Sequence, residues 1–239
     1  MALLLTIESQ IAALTNLFTV TGGNVTWTNT SNWFETNHCS WFGVTCDQNQ
    51  NVVKLLLRNN GLTNRIPEDI MQLSYLQELD LSENVFFTRI PVQICQLKDC
   101  KQILLNRNNI QDEIPQCMCE MQNLEVLDVS NNNISGYLPN CLRKTLHANC
   151  NNIHNEISYK LANMSEIDVR CNTHITNCDD AQLNNNGVTL CGEQDCEESC
   201  ENTQPNLMCK THYSYSDLGY YVHEDHIAEF LKSEEYTGI

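Results

Sequence analysis

Apolar residues in the middle of the chain follow a pattern that repeats every 24 positions. From residue 52 to residue 139 the spacing L-x-x-L-x-L-x-x-N-x-L-x-x-x-I-P occurs four times, with Leu, Ile, Val, Phe or Cys at the apolar sites. Four asparagines and four apolar-proline pairs mark the repeats: Asn60, Asn84, Asn108, Asn132, Ile66-Pro67, Ile90-Pro91, Ile114-Pro115 and Leu138-Pro139. A repeat of this length predicts a solenoid, because a single coil cannot bury its apolar face and must stack on its neighbours.

Each L-x-L segment predicts a short strand whose alternate side chains point into the coil. Strands of stacked coils lie about 4.8 Å apart, so together they form one parallel sheet over a continuous apolar core. The asparagine after each strand is expected to turn inward and to satisfy backbone groups where the chain bends away from the sheet.

Two further coils follow Pro139 with a shorter period and without the proline, so tighter convex sides are expected. The fifth coil is aligned on Leu146, Ala148, Asn151, Ile153 and Ile157. The sixth coil begins 21 residues later and is aligned on Ile167, Val169 and Asn172. The pattern stops beyond Cys178, which predicts about six coils in all.

Motifs at both ends of the repeats point to a known family. Asn32-Trp33 precedes residues 39–47, which read C-S-W-F-G-V-T-C-D, and Leu190-Cys191-Gly192 precedes Cys196 and Cys200. With the repeat, these motifs resemble the plant-type leucine-rich repeat family and its N-W...C-x-W-x-G-V-x-C-D and L-C-G-x(n)-C caps. The resemblance covers roughly residues 6 to 200. The glycine of the family repeat, L-x-G-x-I-P, is present only as Gly136.

The repeat and the resemblance together imply an α/β fold. The expected architecture is a right-handed leucine-rich-repeat solenoid with a parallel sheet on its concave face, a short helical or 3-10 and irregular convex side, and cysteine caps. The predicted domains are a helical and cysteine-containing N-terminal cap (1–51), the repeats (52–178), a cysteine-rich C-terminal cap (179–209) and an acidic, aromatic tail (210–239). The spacing of apolar residues from His226 to Leu231 predicts a short amphipathic helix in the tail.

The spacing of the 14 cysteines suggests disulfide bonds. Residues one period apart lie on adjacent coils, close to the separation that a disulfide requires. Adjacent-coil spacing predicts Cys95 with Cys119, Cys117 with Cys141, and Cys150 with Cys171, and the cap signature implies Cys39 with Cys46. Buried free thiols are the alternative, since cysteine often fills a core position. Cys100 takes a leucine position of the repeat, so it is expected to be a buried thiol or a variant partner for Cys95.

Disulfides imply an oxidising compartment, and a secreted or cell-surface location is therefore expected. Four glycosylation sequons agree with this location, at Asn24, Asn29, Asn133 and Asn163. Met1 to Leu5 is too short for a signal peptide, so a leader is either missing or represented by this remnant. No stretch of about 18 apolar residues predicts a membrane span.

The formal net charge of -17 at pH 7 argues against nucleic-acid binding, which requires a basic surface. No cofactor, catalytic residue or metal ligand is predicted. The aspartates expected on the sheet lie too far apart for paired acid-base work, and His223 and His226 lack a third metal ligand. Trp27, Trp33 and Trp41 could form a carbohydrate platform, but in a cap they more often close the end of the core.

Outward positions of the predicted sheet can be derived from the strand alternation. They form the candidate partner-binding surface: Leu56, Arg58, Asp80, Ser82, Leu104, Asn106, Asp128, Ser130, His147 and Asp168. Asn149 and Arg170 continue the second column. Leucines interrupted by carboxylates suit a protein or a glycan better than a small metabolite, because no enclosed pocket or phosphate loop is indicated. Ordinary solvated strand positions are the alternative for any single residue.

Two functions of different class fit these observations. The first hypothesis is a non-enzymatic extracellular recognition module that binds a protein or glycan on its concave face. The second is a structural subunit of an extracellular or cell-surface assembly, joined through solenoid edges, the tail or the C-terminal cysteines. The predicted bridges and a buried Cys100 would leave five cysteines, and an odd number allows an intermolecular bridge: Cys178, Cys191, Cys196, Cys200 and Cys209.

Overall fold

Helix α1 (Ala2–Val20) opens the chain in the computed structural model, which describes residues 2–139, 141–142, 144–156, 165–176 and 188–189. Its buried apolar side chains recur at helical spacing and form one face: Ala13, Leu14, Leu17 and Phe18. The buried amide of Gln10 accepts a hydrogen bond of 2.7 Å from the backbone N–H of Val52. The helix thus forms part of the N-terminal cap and satisfies a backbone donor at the start of the first repeat.

Short strands follow the helix along the whole described chain. In chain order they are β1 (Val44–Cys46), β2 (Val52–Leu56), β3 (Thr63–Asn64), β4 (Glu78–Asp80), β5 (Val85–Phe86), β6 (Gln102–Leu104), β7 (Val126–Asp128), β8 (Thr145–His147), β9 (Asn151–Glu156), β10 (Glu166–Asp168), β11 (Asn172–Thr176) and β12 (Val188–Thr189). The main sheet has the order β1-β2-β4-β6-β7-β8-β10-β12, and two small sheets pair β3 with β5 and β9 with β11.

The register of the main sheet follows the sequence repeat. Equivalent inward residues of successive coils are direct partners in parallel pairing: Leu55, Leu79, Ile103, Leu127, Leu146 and Ile167. All six are essentially buried, and they form the centre of the apolar core. The leucine-rich-repeat solenoid and the alignment of the fifth and sixth coils are therefore confirmed.

The two ends of the sheet differ from the prediction. Strand β1 lies antiparallel to β2, with Val44 opposite Leu55, so the cap contributes a strand of its own to the sheet. At the other end, Val188 of β12 pairs in parallel with Ile167 of β10. The sheet thus gains one more strand, in the segment for which a C-terminal cap is predicted.

The opposite side of the coils is built from 3-10 helices that begin directly after the repeat prolines. They span Glu68–Gln72, Val92–Gln96 and Gln116–Glu120, after Pro67, Pro91 and Pro115 respectively. Proline fixes φ in an extended segment and has no N–H to lose, which suits it to the position before a helix starts. At the position of the family glycine, Asn64 and Asp112 take positive φ as Gly136 does. The amide and carboxylate residues thus replace glycine in a left-handed turn.

Three disulfides join described residues. Cys39 is bonded to Cys46, as the cap signature implied, with a Cα–Cα distance of 5.5 Å. The predicted pairs of Cys95 with Cys119 and Cys117 with Cys141 were wrong. The structure instead joins Cys95 to Cys117 and Cys119 to Cys141, with Cα–Cα distances of 5.9 Å and 5.4 Å. These bridges still connect adjacent coils, but through non-equivalent positions.

The predicted bridge between Cys150 and Cys171 was also wrong. Cys171 is disulfide-bonded, whereas Cys150 carries a buried thiol whose sulfur lies 3.7 Å from the amide nitrogen of Asn149. Cys100 is a fully buried thiol, as expected for a cysteine at a leucine position, and its burial raises the pKa of the thiol to about 12. The cysteines from 178 to 209, Ile157 and the predicted tail helix lie outside the described residues.

The three tryptophans belong to one aromatic cluster inside the N-terminal cap. Trp27, Trp33 and Trp41 are each at least nine-tenths buried. Trp33 lies at the centre, with ring centroids 5.2 Å from Phe18, 4.8 Å from Trp27 and 4.9 Å from Trp41. Buried rings cannot stack on a sugar, so the structure favours the interpretation of these residues as the closure of the core.

Candidate functional site

Six residues form the central column of the sheet surface that points away from the core. Strand pairing places them side by side on successive coils: Leu56, Asp80, Leu104, Asp128, His147 and Asp168. All six are partly exposed. We call this surface, together with the columns on either side, the sheet face. Leu56 of the first coil and Leu104 of the third coil are thus available for contact, and Asp80 of the second coil lies between them.

The next column behaves differently from the prediction. Ser82 and Ser130 are buried, with 3% and 7% of their surface exposed. In each case the serine hydroxyl and the serine N–H donate hydrogen bonds to Oδ1 of the aspartate two residues before, Asp80 or Asp128. These serines therefore fix the orientation of the aspartates and do not present a hydroxyl to a partner. Arg58 and Asn106 of the same column remain accessible.

A carboxylate joins the first and third coils along one edge of the sheet face. Glu83 Oε1 accepts hydrogen bonds of 2.8 Å from Arg58 Nη2 and from Arg107 Nη1. The hydrogen bond from Arg58, which has the largest effect, and the hydrogen bond from Arg107 lower the pKa of Glu83. Glu83 has a positive φ of 56°, and the residue before the ladder asparagine has positive φ in every described coil. The backbone turn at this position directs Glu83 toward both arginines.

Ion pairs also connect neighbouring coils on the opposite edge. Lys54 Nζ lies 2.6 Å from Glu78 Oε2, and Lys144 Nζ lies 2.8 Å from Glu125 Oε1. A further ion pair lies within the sixth coil, where Arg170 Nε and Nη2 donate to Asp168 Oδ1 and Oδ2 at 3.0 Å and 2.8 Å. Exposed pairs of this kind contribute little to stability, but they hold long side chains in defined positions. The sheet face therefore presents an ordered arrangement of charges around its leucines.

His147 lies between two acidic residues of the adjacent coils. Its Nε2 is 3.1 Å from Glu166 Oε1, and its Nδ1 is 3.8 Å from Asp128 Oδ2. The nearby carboxylate of Asp128, followed by the hydrogen-bonded carboxylate of Glu166, raises the pKa of His147 to about 9. The imidazole is therefore positively charged at neutral pH. Sequence reasoning placed His147 on this surface but missed its charge, although the alignment of Asp128 beside it carried the signal.

Replacing His147 with glutamine should remove a pH-dependent part of the stability. A histidine whose pKa rises from 6.5 to about 9 on folding stabilises the protein fully below pH 6.5 and loses that contribution as the pH rises to 9. Because the ring is only half-buried, solvent screening reduces the expected difference to about 1 kcal/mol. Urea unfolding at pH 6 and pH 10 measures it. A wild-type advantage that is equal at both pH values would contradict the charged pair.

The described sequons differ in their surroundings. Asn24 is exposed, and Asn133 is partly exposed next to the buried ladder residue Asn132. Asn29 accepts hydrogen bonds from the N–H and the hydroxyl of Ser31, the third residue of its own sequon. Asn163 lies outside the described residues. Glycosylation at these four asparagines stays a prediction.

Within the described residues, the ligating side chains that cluster closely enough for a metal ion are those of His38, Cys39 and Cys46. Both cysteines are bonded to each other, and His38 Nε2 lies 3.1 Å from the carbonyl oxygen of Gln50. The cluster is thus explained by the structure of the cap. His223 and His226 lie outside the described residues. No helix in the described part of the chain has the length and apolarity to cross a membrane.

Comparison with protein families gives matches at both the cap and the coils. Residues 7–47 match the family described as leucine rich repeat N-terminal domain, and residues 75–97 and 123–145 match the family described as Leucine Rich Repeat. Among curated proteins, the receptor kinase-like protein Xa21 of Oryza sativa subsp. japonica is 46% identical over 52 residues, which are 20% of this chain and 5% of that protein. The chain therefore matches only a small share of this relative's length.

Solved structures resemble a larger part of the chain. The structure of PEPR1-AtPEP1 has a TM-score of 0.62 and 26% identity, and the match covers 70% of this chain and 25% of that one. The BIR3 - SERK2 complex from Arabidopsis thaliana has a TM-score of 0.51 and 27% identity, with 69% and 84% covered. The ectodomain of the receptor kinase SOBIR1 from the same plant has a TM-score of 0.57 and 26% identity, with 70% and 95% covered.

Proposed function

We infer that this chain, a leucine-rich repeat protein of the plant type, is a non-enzymatic extracellular module that binds a protein partner through its sheet face. The observation that carries the proposal is the composition of that face. Leu56 and Leu104 are partly exposed in register with aspartates and His147, and ion pairs fix the charges around them. Apolar area supplies affinity in protein recognition, while an ordered charge pattern supplies specificity.

A protein partner is favoured over a glycan. Sugar recognition commonly uses exposed aromatic rings, whereas the three tryptophans of this chain are buried in the cap. The central column of the sheet face contains no aromatic residue. The BIR3 - SERK2 structure, which resembles this chain, is a complex of two proteins, and this supports the same class of partner. An extracellular location is supported by the disulfides and by the ectodomain structures with the same fold.

Removing the two leucines from the sheet face should weaken partner binding at least tenfold. The variant L56E/L104E places carboxylates beside Asp80 and Asp128, while L56Q/L104Q removes the apolar area without adding charge. Burying one leucine side chain contributes about 1.5–3 kcal/mol, so losing even part of two such contacts exceeds the 1.4 kcal/mol of a tenfold change. The measurement is quantitative capture of proteins from plant extracellular fluid on immobilised chain, followed by a titration with the purified partner.

A matched control comes from exposed apolar residues elsewhere. Tyr75 and Tyr137 have 43% and 64% of their surface exposed and lie outside the strands of the main sheet. The variant Y75E/Y137E should retain the partner and, like both leucine variants, should unfold within a few degrees of the wild type. If L56Q/L104Q keeps full affinity, or Y75E/Y137E loses as much, the sheet face is not the binding surface.

A further inference from the structure

Two arginines on the side of the first two coils have no acidic partner among the described residues. The described residues contain nine lysines and arginines, and six of them form ion pairs: Lys54, Arg58, Lys98, Arg107, Lys144 and Arg170. The remaining three are Arg65, Arg89 and Lys101. An unpaired cation is unexpected in a chain with a formal charge of -17, because acidic side chains are abundant. Arg65 and Arg89 are also exposed, which leaves their donors available.

Arg65 and Arg89 line the same depression, of ≈ 440 Å³, between helix α1 and the 3-10 side of the coils. They are one repeat apart, each directly before the Ile-Pro pair of its coil, so they lie on neighbouring coils. The backbone of Arg89 is held by a bridge to Gln111 of the third coil. Pro67, Pro91 and the hydroxyl residue Thr88 complete this part of the lining. We call this feature the flank depression.

The two acidic residues that line the flank depression each accept a hydrogen bond from a neutral side-chain amide. Asp69 Oδ2 accepts a hydrogen bond from the amide of Asn16 on helix α1, at 2.5 Å. Glu68 Oε2 accepts a hydrogen bond of 2.8 Å from the amide of Gln93. Neither carboxylate lies within ion-pair distance of Arg65 or Arg89 among the described residues. Each guanidinium carries five N–H donors in a planar fork, the geometry that matches a carboxylate or sulfate.

Exposed apolar residues neighbour the arginines along the backbone, and the N–H of Phe87 donates to the carbonyl oxygen of Asn64, the residue before Arg65. Phe87 and Val92 flank Arg89 in sequence and have 46% and 59% of their surface exposed, and Val85 of β5 has 55% exposed. Aromatic, apolar and arginine side chains in one patch are the composition that distinguishes protein interfaces from the rest of a surface. The patch lies on the second coil but outside the main sheet, so it is separate from the sheet face.

We propose that the flank depression is a second binding site, which takes an apolar peptide segment of a protein partner that bears a carboxylate or sulfate group. The anionic group accepts hydrogen bonds from Arg65 and Arg89, and the adjacent apolar residues of the segment cover Phe87 and Val92. An anionic group is favoured as the occupant because Arg65 and Arg89 form no ion pair with the described residues, so both guanidinium forks can donate to it. The proposal does not depend on binding at the sheet face.

The test uses short fluorescent peptides as probes, with the full chain and fluorescence anisotropy as the readout. The first peptide alternates leucine and glutamate, the second carries glutamine in place of glutamate, and the third carries sulfotyrosine. The glutamate peptide should bind at least tenfold more tightly than the glutamine peptide, with a Kd below about 1 mM. A stronger sulfotyrosine peptide would assign the anion as sulfate, and an equal or weaker one would assign it as carboxylate.

The variant R65Q/R89Q should lower the affinity for the anionic peptides at least tenfold, since both guanidinium forks are lost. The control K98Q/K101Q removes the same two charges elsewhere and should bind as the wild type does. The variant L56Q/L104Q should also bind normally, which keeps this site distinguishable from the sheet face. Equal binding of the glutamine peptide, full affinity of R65Q/R89Q, or no binding of either anionic peptide at about 1 mM would each overturn the proposal.

Discussion

Replacing Trp33 with alanine is expected to lower the free energy of unfolding by about 3–5 kcal/mol, the usual cost of deleting a buried aromatic side chain. Only 7% of Trp33 is exposed, and its ring contacts Phe18 of helix α1 and two further tryptophans. Its indole N–H donates a hydrogen bond of 3.1 Å to the carbonyl oxygen of Phe42. Alanine would leave a cavity in the cap and an unpaired carbonyl group beside it.

The consequence should extend beyond the cap, because each coil of a solenoid is stabilised by its neighbours. Loss of the cap exposes the apolar end of the first coil, so the urea midpoint followed by circular dichroism should fall for the whole repeat signal. Phe34 provides the control, since its ring touches the same cluster but has 54% of its surface exposed. Phe34→Ala should cost about 1 kcal/mol. Equal losses for the two variants would mean that the aromatic cluster does not close the core.

The sheet could be predicted from the sequence because its geometry follows directly from the repeat. Once Leu55 and Leu79 are equivalent, strand alternation fixes Leu56 and Asp80 as outward neighbours, and the structure has this pairing. Strand alternation also predicts His147 beside Asp128, despite the shorter period of the fifth coil, and the structure has this pair. Periodic apolar positions therefore predicted both the core and the columns of the sheet face.

The disulfide pairs could not be predicted from equivalence alone. Equivalent residues of stacked coils have parallel Cα–Cβ vectors, so their Cβ atoms are as far apart as the coils, about 4.8 Å or more. A disulfide requires Cβ atoms about 3.8 Å apart with converging vectors. Cys117 lies two positions before the equivalent of Cys95 on the next 3-10 helix and satisfies this requirement. The local turn of that helix, which the repeat spacing does not encode, decides the partner.

The flank depression and the buried serines were missed for a related reason. Strand alternation predicts that Ser82 points away from the core, and it does, but its hydroxyl is covered because it folds back on Asp80. The depression forms where helix α1 meets the first two coils. The helix is not part of the 24-residue repeat, so the repeat cannot predict its contacts with the coils. The sequence therefore predicts which way a side chain points from a regular strand better than it predicts how deeply that side chain is buried where elements meet.

A ladder of buried asparagines runs through the described coils. From the second to the sixth coil, the asparagine side chain bonds to the backbone of the preceding coil and of its own coil. Asn108 Oδ1 accepts a hydrogen bond of 3.0 Å from the N–H of Phe86. Its amide nitrogen donates to the carbonyl oxygens of Leu81 and Leu105, at 3.0 Å and 3.1 Å. The ladder starts at the cap, because Asn60 Oδ1 accepts a hydrogen bond from the N–H of Asn29.

Replacing Asn108 with leucine should therefore lower the free energy of unfolding by about 2–4 kcal/mol. Leucine has a similar volume, but it leaves the N–H of Phe86 buried without its acceptor, which costs about 1–3 kcal/mol. It also removes one of the two amide donors to each of the carbonyl oxygens of Leu81 and Leu105. Only 4% of Asn108 is exposed, so water cannot replace the lost bonds without opening the stack. Urea unfolding of the variant and the wild type at neutral pH measures the difference.

The adjacent residue tests whether the effect comes from burial or from asparagine itself. Asn109 is exposed, and its backbone N–H donates to the carbonyl oxygen of Phe86 at 2.7 Å whatever its side chain is. Asn109→Leu should therefore change the free energy of unfolding by less than about 0.5 kcal/mol. Because the Asn108 side chain joins the second and third coils, its loss should also reduce amide-exchange protection in those two coils. Similar losses in Asn108→Leu and Asn109→Leu would place the stabilising contacts outside the ladder.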